Sequence, residues 1–199
     1  MKKFAVVSLA LAAVASSQAV TFSSISVSSP PLSNGSSWTI LGNSISFNLP
    51  NAIVGDAMPL RVGTVNIQFD VASGSSMWAD QIGINIGSAI AGSGQVIFNE
   101  AVFELDSLGN EVAGGPIGTY THIFNTSTGN TLSHLLTFSR TVENLRVKKS
   151  FTLVAPDTQN LDLAGVAIVN QNIQVVPEPA TMIALGAGAL ALIRRKRNG

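Results

Sequence analysis

The sequence predicts an all-β fold, an antiparallel β-sandwich of which a jelly roll is one form. Three observations carry this. Apolar residues between positions 20 and 175 recur with period two, not 3.6. Glycine-, serine- and asparagine-rich turn signals interrupt them at short intervals. No ten-residue window in that stretch reads as an amphipathic helix. Alternation puts successive side chains on opposite faces of a sheet, which gives each strand one dry and one wet side. That pattern belongs to antiparallel sheets.

The elements follow in order. Residues 22–27 and 37–41 are strands, separated by Ser33-Asn34-Gly35-Ser36. In NSISFNLP, Ile45, Phe47 and Leu49 alternate with polar neighbours. In GTVNIQFDVA, Val65, Ile67, Phe69 and Val71 do the same, and Ser73-Gly74-Ser75 reads as a turn. Ile82, Ile84 and Ile86 face one way, and Ala91-Gly92-Ser93-Gly94 follows as a turn. Residues 95–105, 119–124, 132–139 and 144–148 are further strands, with turns at Leu108-Gly109-Asn110 and at 127–130. Phe151 and Leu153 share a face, and Pro156 to Leu161 is a loop. The last strand region places Leu161 with Leu163, Val166 with Ile168, and Ile173 with Val175.

The ends have a different character. Met1-Lys2-Lys3 is basic, Phe4 to Val14 is apolar apart from Ser8, and Ala15-Ser16-Ser17-Gln18-Ala19 is small. This is the layout of a secretory signal peptide: a helix over 1–19, removed by signal peptidase between Ala19 and Val20. At the other end Pro177-Glu178-Pro179 precedes fourteen residues, Ala180 to Ile193, whose one polar side chain is Thr181. As a helix that run is roughly 21 Å long. A hydrocarbon core of about 30 Å is thicker. Arg194, Arg195, Lys196 and Arg197 then form a stop-transfer cluster that stays cytoplasmic. A marginal helix of this kind suits a temporary hold in the membrane. The two prolines keep the preceding segment extended, the shape a processing enzyme can grip.

Val176 to Thr181, the apolar run and the basic end, in that order, resemble the PEP-CTERM sorting signal of bacterial envelope proteins. The resemblance covers about two dozen residues at the C-terminus. It implies that an exosortase, an integral-membrane transpeptidase, recognises Pro177, Glu178 and Pro179 and cuts nearby. The expected organisation is a signal peptide at 1–19, a β-sandwich domain at 20–175 and a sorting signal at 176–199. Residues 180–193 hold the chain in the inner membrane until processing delivers it to the envelope or the extracellular space.

Composition limits what the domain does. Six of the eleven Lys and Arg residues lie in the two terminal signals. The mature chain therefore keeps five against ten or eleven acids, a net charge of about −5 or −6. That disfavours nucleic acid, whose binding depends on cationic surface. With no cysteine, an exported chain must rely on its core alone.

Candidate sites are sparse. His122 and His134 could meet across strands, but zinc needs three or four ligands, and no metal is expected. Glu104, Asp106, Asn110 and Glu111 surround a glycine turn without calcium-loop spacing; a hairpin turn with Gly109 and Asn110 at positive φ accounts for them. No Gly-x-Ser-x-Gly elbow is present. Asp70, Asp80, Glu100 and Glu104 supply carboxylates in number only. Trp38, Trp78 and Tyr120 are candidates for stacking on sugar rings. Asn34-Gly35-Ser36 and Asn125-Thr126-Ser127 match the N-glycosylation pattern but serve equally as turns. The expected role is structural or adhesive, with no enzymatic activity and no cofactor. A carbohydrate-binding module of the exopolysaccharide matrix is the alternative, and a secreted hydrolase is third.

Overall fold

A computed structural model of the chain describes residues 20–176, apart from positions 57 and 88. The signal helix, the sorting segment and the membrane helix expected from the sequence lie outside the described residues. Those residues form antiparallel β-structure without a helix. Eleven strands are present: β1 Thr21–Ser28, β2 Ser37–Leu41, β3 Ser44–Asn48, β4 Ile53–Gly55, β5 Val62–Asn85, β6 Ile90–Ala91, β7 Gln95–Glu104, β8 Gly118–Phe124, β9 Thr131–Val154, β10 Leu163–Gly165 and β11 Ile168–Val175.

Two strands of 24 residues, β5 and β9, organise the fold. They pair antiparallel along their length, with register breaks between Ala72 and Met77 and between Met77 and Ala79. The expected turn at Ser73-Gly74-Ser75 and the expected gap near Ser139 are therefore this break, inside continuous strands. Register irregularities of this kind bend and twist a strand, and here they let one pair serve two layers. The first half of β5 and the second half of β9 carry β1 and β7 beside them, with β8 beyond β7. The second half of β5 carries β11, then β3 and β2. The strand order β2-β3-β11-β5-β9-β7-β8 is one sheet folded over on itself, a β-sandwich type of arrangement. A small sheet, β4-β10-β6, lies apart from it.

The core fills the space between the layers. Phe47 of β3 faces Phe69 of β5 across it at 5.7 Å between ring centroids, and Phe22 of β1 packs on Phe69 at 5.9 Å. Phe98 stacks on Phe151 at 4.9 Å. The inward residues are those the alternation picks out, including Ile45, Val65, Ile67, Val71, Ile82 and Leu153.

Two phase shifts were not in the pattern. Ile168 is exposed, and Val169 is the buried residue, because β11 takes its inward phase from Val169, Gln171 and Ile173. In β5, Ala79 and Asp80 are consecutive and both buried. Trp78 has no partner in the register with β9 or β11. It is the extra residue at which the strand changes phase.

Candidate functional site

The outward faces of both layers carry ladders of hydroxyls and amides beside a few ion-paired charges. On the first layer, Ser26 and Ser28 of β1, Asn66 and Gln68 of β5, Asn99 of β7 and Ser150 of β9 line an open groove of about 470 Å³, together with the charged residues Lys148, Lys149 and Glu100. The register places Asn66 opposite Ser150 and Ser150 opposite Asn99. Thr121 of β8 extends the ladder by donating to Asn99 Oδ1 at 2.8 Å. The second layer repeats the theme. Ser46 donates to Asn170 at 2.6 Å, Asn172 to Ser44 at 2.6 Å, and Gln81 to Ser133 at 3.1 Å. Such rows offer donors and acceptors at strand spacing to a polar ligand.

The predicted aromatic residues do not converge. Trp38 is exposed on β2, one end of the strand order, and Tyr120 is half-buried on β8, the other end. Trp78 sits half-buried at the β5 phase change. Tyr120 instead collects both histidines. His134 of β9 stacks on it at 3.7 Å between ring centroids, and His122 lies 6.4 Å away on the other side in sequence. The rings close one open side of the sandwich, and both histidines are half-buried there.

The acidic turn is satisfied internally. Asp106 Oδ1 accepts from the backbone N–H groups of Leu108 and Asn110, both at 2.9 Å. Gly109 takes positive φ and Asn110 does not, a correction to the expected turn. Glu111 accepts from Lys148 at 2.5 Å and Arg146 at 3.4 Å. Arg146 also grips Asp70 with two bonds of 2.7 and 2.9 Å. Glu104 pairs with Arg140. Among the described residues no group of three or more His, Cys, Asp or Glu is placed to hold a metal ion.

Sequence reasoning missed the most unusual cluster. Asp80 of β5, Glu100 of β7, Lys149 of β9 and Gln171 of β11 all point into the core, each 3% exposed or less. Lys149 Nζ forms an ion pair with Glu100 Oε2 in which neither side chain reaches solvent. Gln171 Nε2 donates to Glu100 Oε1 at 3.3 Å. Lys149 Nζ also lies 5.4 Å from the Phe98 ring centroid. Glu100 and Lys149 are direct cross-strand partners in the first layer; Asp80 and Gln171 come from the second.

Asp80 completes the set. As a carboxylate it has no donor to accept from. Burial, and then the negative charge of Glu100, push its pKa well above the usual carboxylate range, against a smaller pull from Lys149. As a neutral acid it becomes a donor, and Glu100 is the acceptor beside it. The cluster thus sets an acid raised toward its neutral form beside a buried lysine–glutamate pair. The signal was available in the sequence. Each of the four continues the inward phase of its strand: Asp80 with Ile82 and Ile84, Glu100 with Phe98 and Val102, Lys149 with Val147 and Phe151, Gln171 with Val169 and Ile173.

Comparison with known proteins adds the following. The PEP-CTERM protein-sorting motif matches residues 175–197. The chain carries that motif. No curated protein matches the chain. Among solved structures, a carbohydrate-binding module, TmCBM61, in complex with beta-1,4-galactotriose is similar at 10% identity, covering 82% of this chain and 90% of its own, with a TM-score of 0.35. The enzymatically active domain of bacteriophage CBA120 tailspike protein 4 is similar at 12% identity, covering 79% of this chain and 19% of its own, with a TM-score of 0.33. Likeness at this level carries no functional argument.

Proposed function

We propose that the chain is an exported, exosortase-processed protein whose β-domain has a structural or adhesive role in the cell envelope or extracellular matrix. It divides into a signal peptide at 1–19, the β-domain at 20–175 and the sorting signal at 176–199. Signal peptidase acts between Ala19 and Val20. Exosortase reads Pro177, Glu178 and Pro179, while residues 180–193 and the cluster Arg194, Arg195, Lys196 and Arg197 hold the chain in the inner membrane. The observation that carries this reading is the sorting motif at 175–197, joined to a domain whose outward faces carry rows of amides and hydroxyls beside a few paired charges. The domain acts by binding and packing rather than by turnover. Its close carboxyl pair, Asp80 and Glu100, is buried and cannot reach a polysaccharide.

The test is a deletion of the coding sequence in a host that bears an exosortase. Loss of cell cohesion or matrix integrity, restored by the intact chain, is expected. Unchanged cohesion, with the protein recovered from the cytoplasm, would overturn the reading.

A second reading is that the groove beside Asn66, Gln68 and Asn99 binds polysaccharide. The row of amide and hydroxyl donors and acceptors across four strands, with Lys148 among them, favours it. A glycan array separates the two readings. Binding that disappears when these three residues become alanine supports a glycan module, and an empty array leaves the structural role.

A further inference from the structure

We propose that β2 pairs edge to edge with β2 of a second copy of this chain, antiparallel and about a two-fold axis through Thr39, so that Trp38 of each copy meets Ile40 of the other. β2 stands at one end of the strand order and, among the described residues, pairs with β3 alone. All five of its residues, Ser37 to Leu41, are exposed. None is charged and none is proline. Soluble proteins commonly guard an edge strand with a lysine, a proline or a bulge. This edge has no such guard, and its register with β3 is unbroken from Ser37 to Leu41.

The apolar face of β2 is the core's own face, continued past its cover. Residues directly opposite in an antiparallel pair share a face. Trp38 lies opposite Phe47, and Ile40 lies opposite Ile45. Phe47 and Ile45 are fully buried, yet Trp38 is 44% and Ile40 45% exposed. One strand further out, the opposing layer no longer covers the sheet. A large aromatic and a β-branched side chain are left in water there.

The backbone selects a second copy as the partner. The Asn43 carbonyl accepts from Ile173 N–H, and Leu49 N–H donates to the Ala167 carbonyl, both at 2.9 Å. Odd-numbered residues along β3 thus turn their backbone groups toward β11. The even ones, Ser44, Ser46 and Asn48, turn theirs toward β2, where they meet Leu41, Thr39 and Ser37. The N–H and C=O groups of Trp38 and Ile40 therefore point outward. An identical strand laid antiparallel, with Thr39 opposite Thr39, sets Trp38 against Ile40 twice, and each such pair exchanges both of its hydrogen bonds. A slip to the next register of the same parity would set Ile40 against Ser36, or Trp38 against Gly42, outside the strand. The matched register also makes two aromatic–β-branched contacts on the uncovered face, a favourable cross-strand pair. It sets no charge against its like. Such a contact is isologous and closes at two copies. A five-residue edge is small beside the roughly 800 Å² per partner of a standard interface. The dimer is accordingly weak, and its population follows concentration.

The chain has no cysteine, so a single introduced thiol reports the register. Thr39 opposite Thr39 is a non-hydrogen-bonded pair, with Cα atoms about 4.5 Å apart, inside the range a disulfide spans. Ser37 of one copy stands opposite Leu41 of the other, so each of these residues is roughly 13 Å from its own counterpart. The experiment uses the full chain, expressed with its own signal peptide and recovered folded in mild detergent, as judged by a β-type circular dichroism spectrum. Under mild oxidation Thr39→Cys should form a disulfide dimer at least about tenfold faster than Ser37→Cys or Leu41→Cys, because pairing holds its two thiols together. Random collision would favour Leu41→Cys instead, since Leu41 is 82% exposed. Equal rates for the three variants, or a faster Leu41→Cys, overturn the proposal. Sedimentation equilibrium of the unmodified chain should show monomer and dimer in exchange. Ile40→Glu should weaken that dimer at least about tenfold, by setting a carboxylate in the apolar contact with Trp38 of the other copy. A dimer that keeps its affinity in Ile40→Glu is made elsewhere on the chain, the apolar run at 180–193 included, and overturns the proposal. So does an unmodified chain that stays monomeric at every concentration. The thiol variants change exposed side chains only, so they decide the register even if Ile40→Glu does not fold.

Discussion

Tyr120 and His134 lie ring on ring, 3.7 Å between centroids and 13° from parallel, although they sit on β8 and β9, in different layers of the fold. Neither strand pairs the other through its backbone at this point. The contact is thus made by side chains alone, and it closes the open side between β8 and the first half of β9. Tyr120→Ala should destabilise the domain by about 2 kcal/mol, since it removes a half-buried ring and the stack. A double-mutant cycle with His134→Ala should give a coupling of about 0.5–1.5 kcal/mol. Urea unfolding measures both. Additive single effects would mean that the rings touch without supporting each other.

Acid should weaken the domain through the β7–β8 connection. The hydrogen bond from Lys148, and to a lesser degree Arg146, holds Glu111 below the usual carboxylate range. The backbone N–H of Asn110 does the same for Asp106, helped by its side chain and by Leu108. In the unfolded chain both carboxyls return to ordinary values. Their contribution is therefore complete above the usual carboxylate range, about pH 4, and is lost as pH falls through the depressed folded values. Glu111→Gln should flatten the acid limb of the stability–pH curve. An unchanged slope would show that the pairs are screened by solvent.

Two glycines should separate crowding from backbone strain. A Cβ on Gly94 would stand 1.9 Å from the carbonyl oxygen of Leu163. Gly129 has φ +87° with open space around it. Gly94→Ala must push the β6–β7 turn off β10, at a cost of about 1–3 kcal/mol or more. Gly129→Ala meets only the left-handed backbone and should cost about 1–2 kcal/mol. Differential scanning calorimetry of the two variants orders them. Equal losses would mean that the turn at Gly94 shifts without resistance.

The inward set of each strand was legible because burial on one face imposes period two. Ile45, Phe47, Val65, Ile67 and Phe69 needed no structure to be placed. What escaped was anything set by two strands together. The break in β5 looks like a turn because Ser73-Gly74-Ser75 has turn composition. Only its pairing with β9 keeps the strand running. The Ile168 error has the same origin, since the phase of β11 is fixed by β3 and β5 on either side. Asp80, Glu100, Lys149 and Gln171 were hidden differently. Each stands in an inward phase, but a single charged residue in an apolar alternation reads as an outward exception until its partners are found on three other strands. The satisfied acids, Asp70 and Glu104, and the buried ones, Asp80 and Glu100, are indistinguishable in composition.

The mature N-terminus should lie at Val20 or within a few residues of it. Val20 is itself buried, its N–H reaches Asn43 Oδ1 at 3.2 Å, and β1 begins at the next residue. Cleavage after Ala19 would therefore free the strand without cutting into it, and would turn the Val20 amide into an amine that keeps the same acceptor. Mass spectrometry of protein from the native envelope should find this start. Recovery of intact Met1 would remove the export argument.

The tail should separate export from processing. On the proposed reading its three parts would have distinct physical tasks: the prolines at 177 and 179 would keep the recognition segment extended, the run Ala180 to Ile193 would set its height at the membrane, and the four cations from Arg194 would stop translocation. Replacing Pro177-Glu178-Pro179 by three alanines changes the first task alone. In an exosortase-bearing host this variant should be exported, should fold, and should accumulate in the membrane with Arg194 to Arg197 still attached, detected by C-terminal peptide mass. Deleting residues 180–199 changes the second and third tasks instead, and should release a soluble β-domain. The two variants move the protein in opposite directions, so a general folding defect cannot imitate both. If the triple-alanine chain loses its basic end as fast as the parent, the tripeptide is a linker, and the apolar run with its cations is an ordinary anchor.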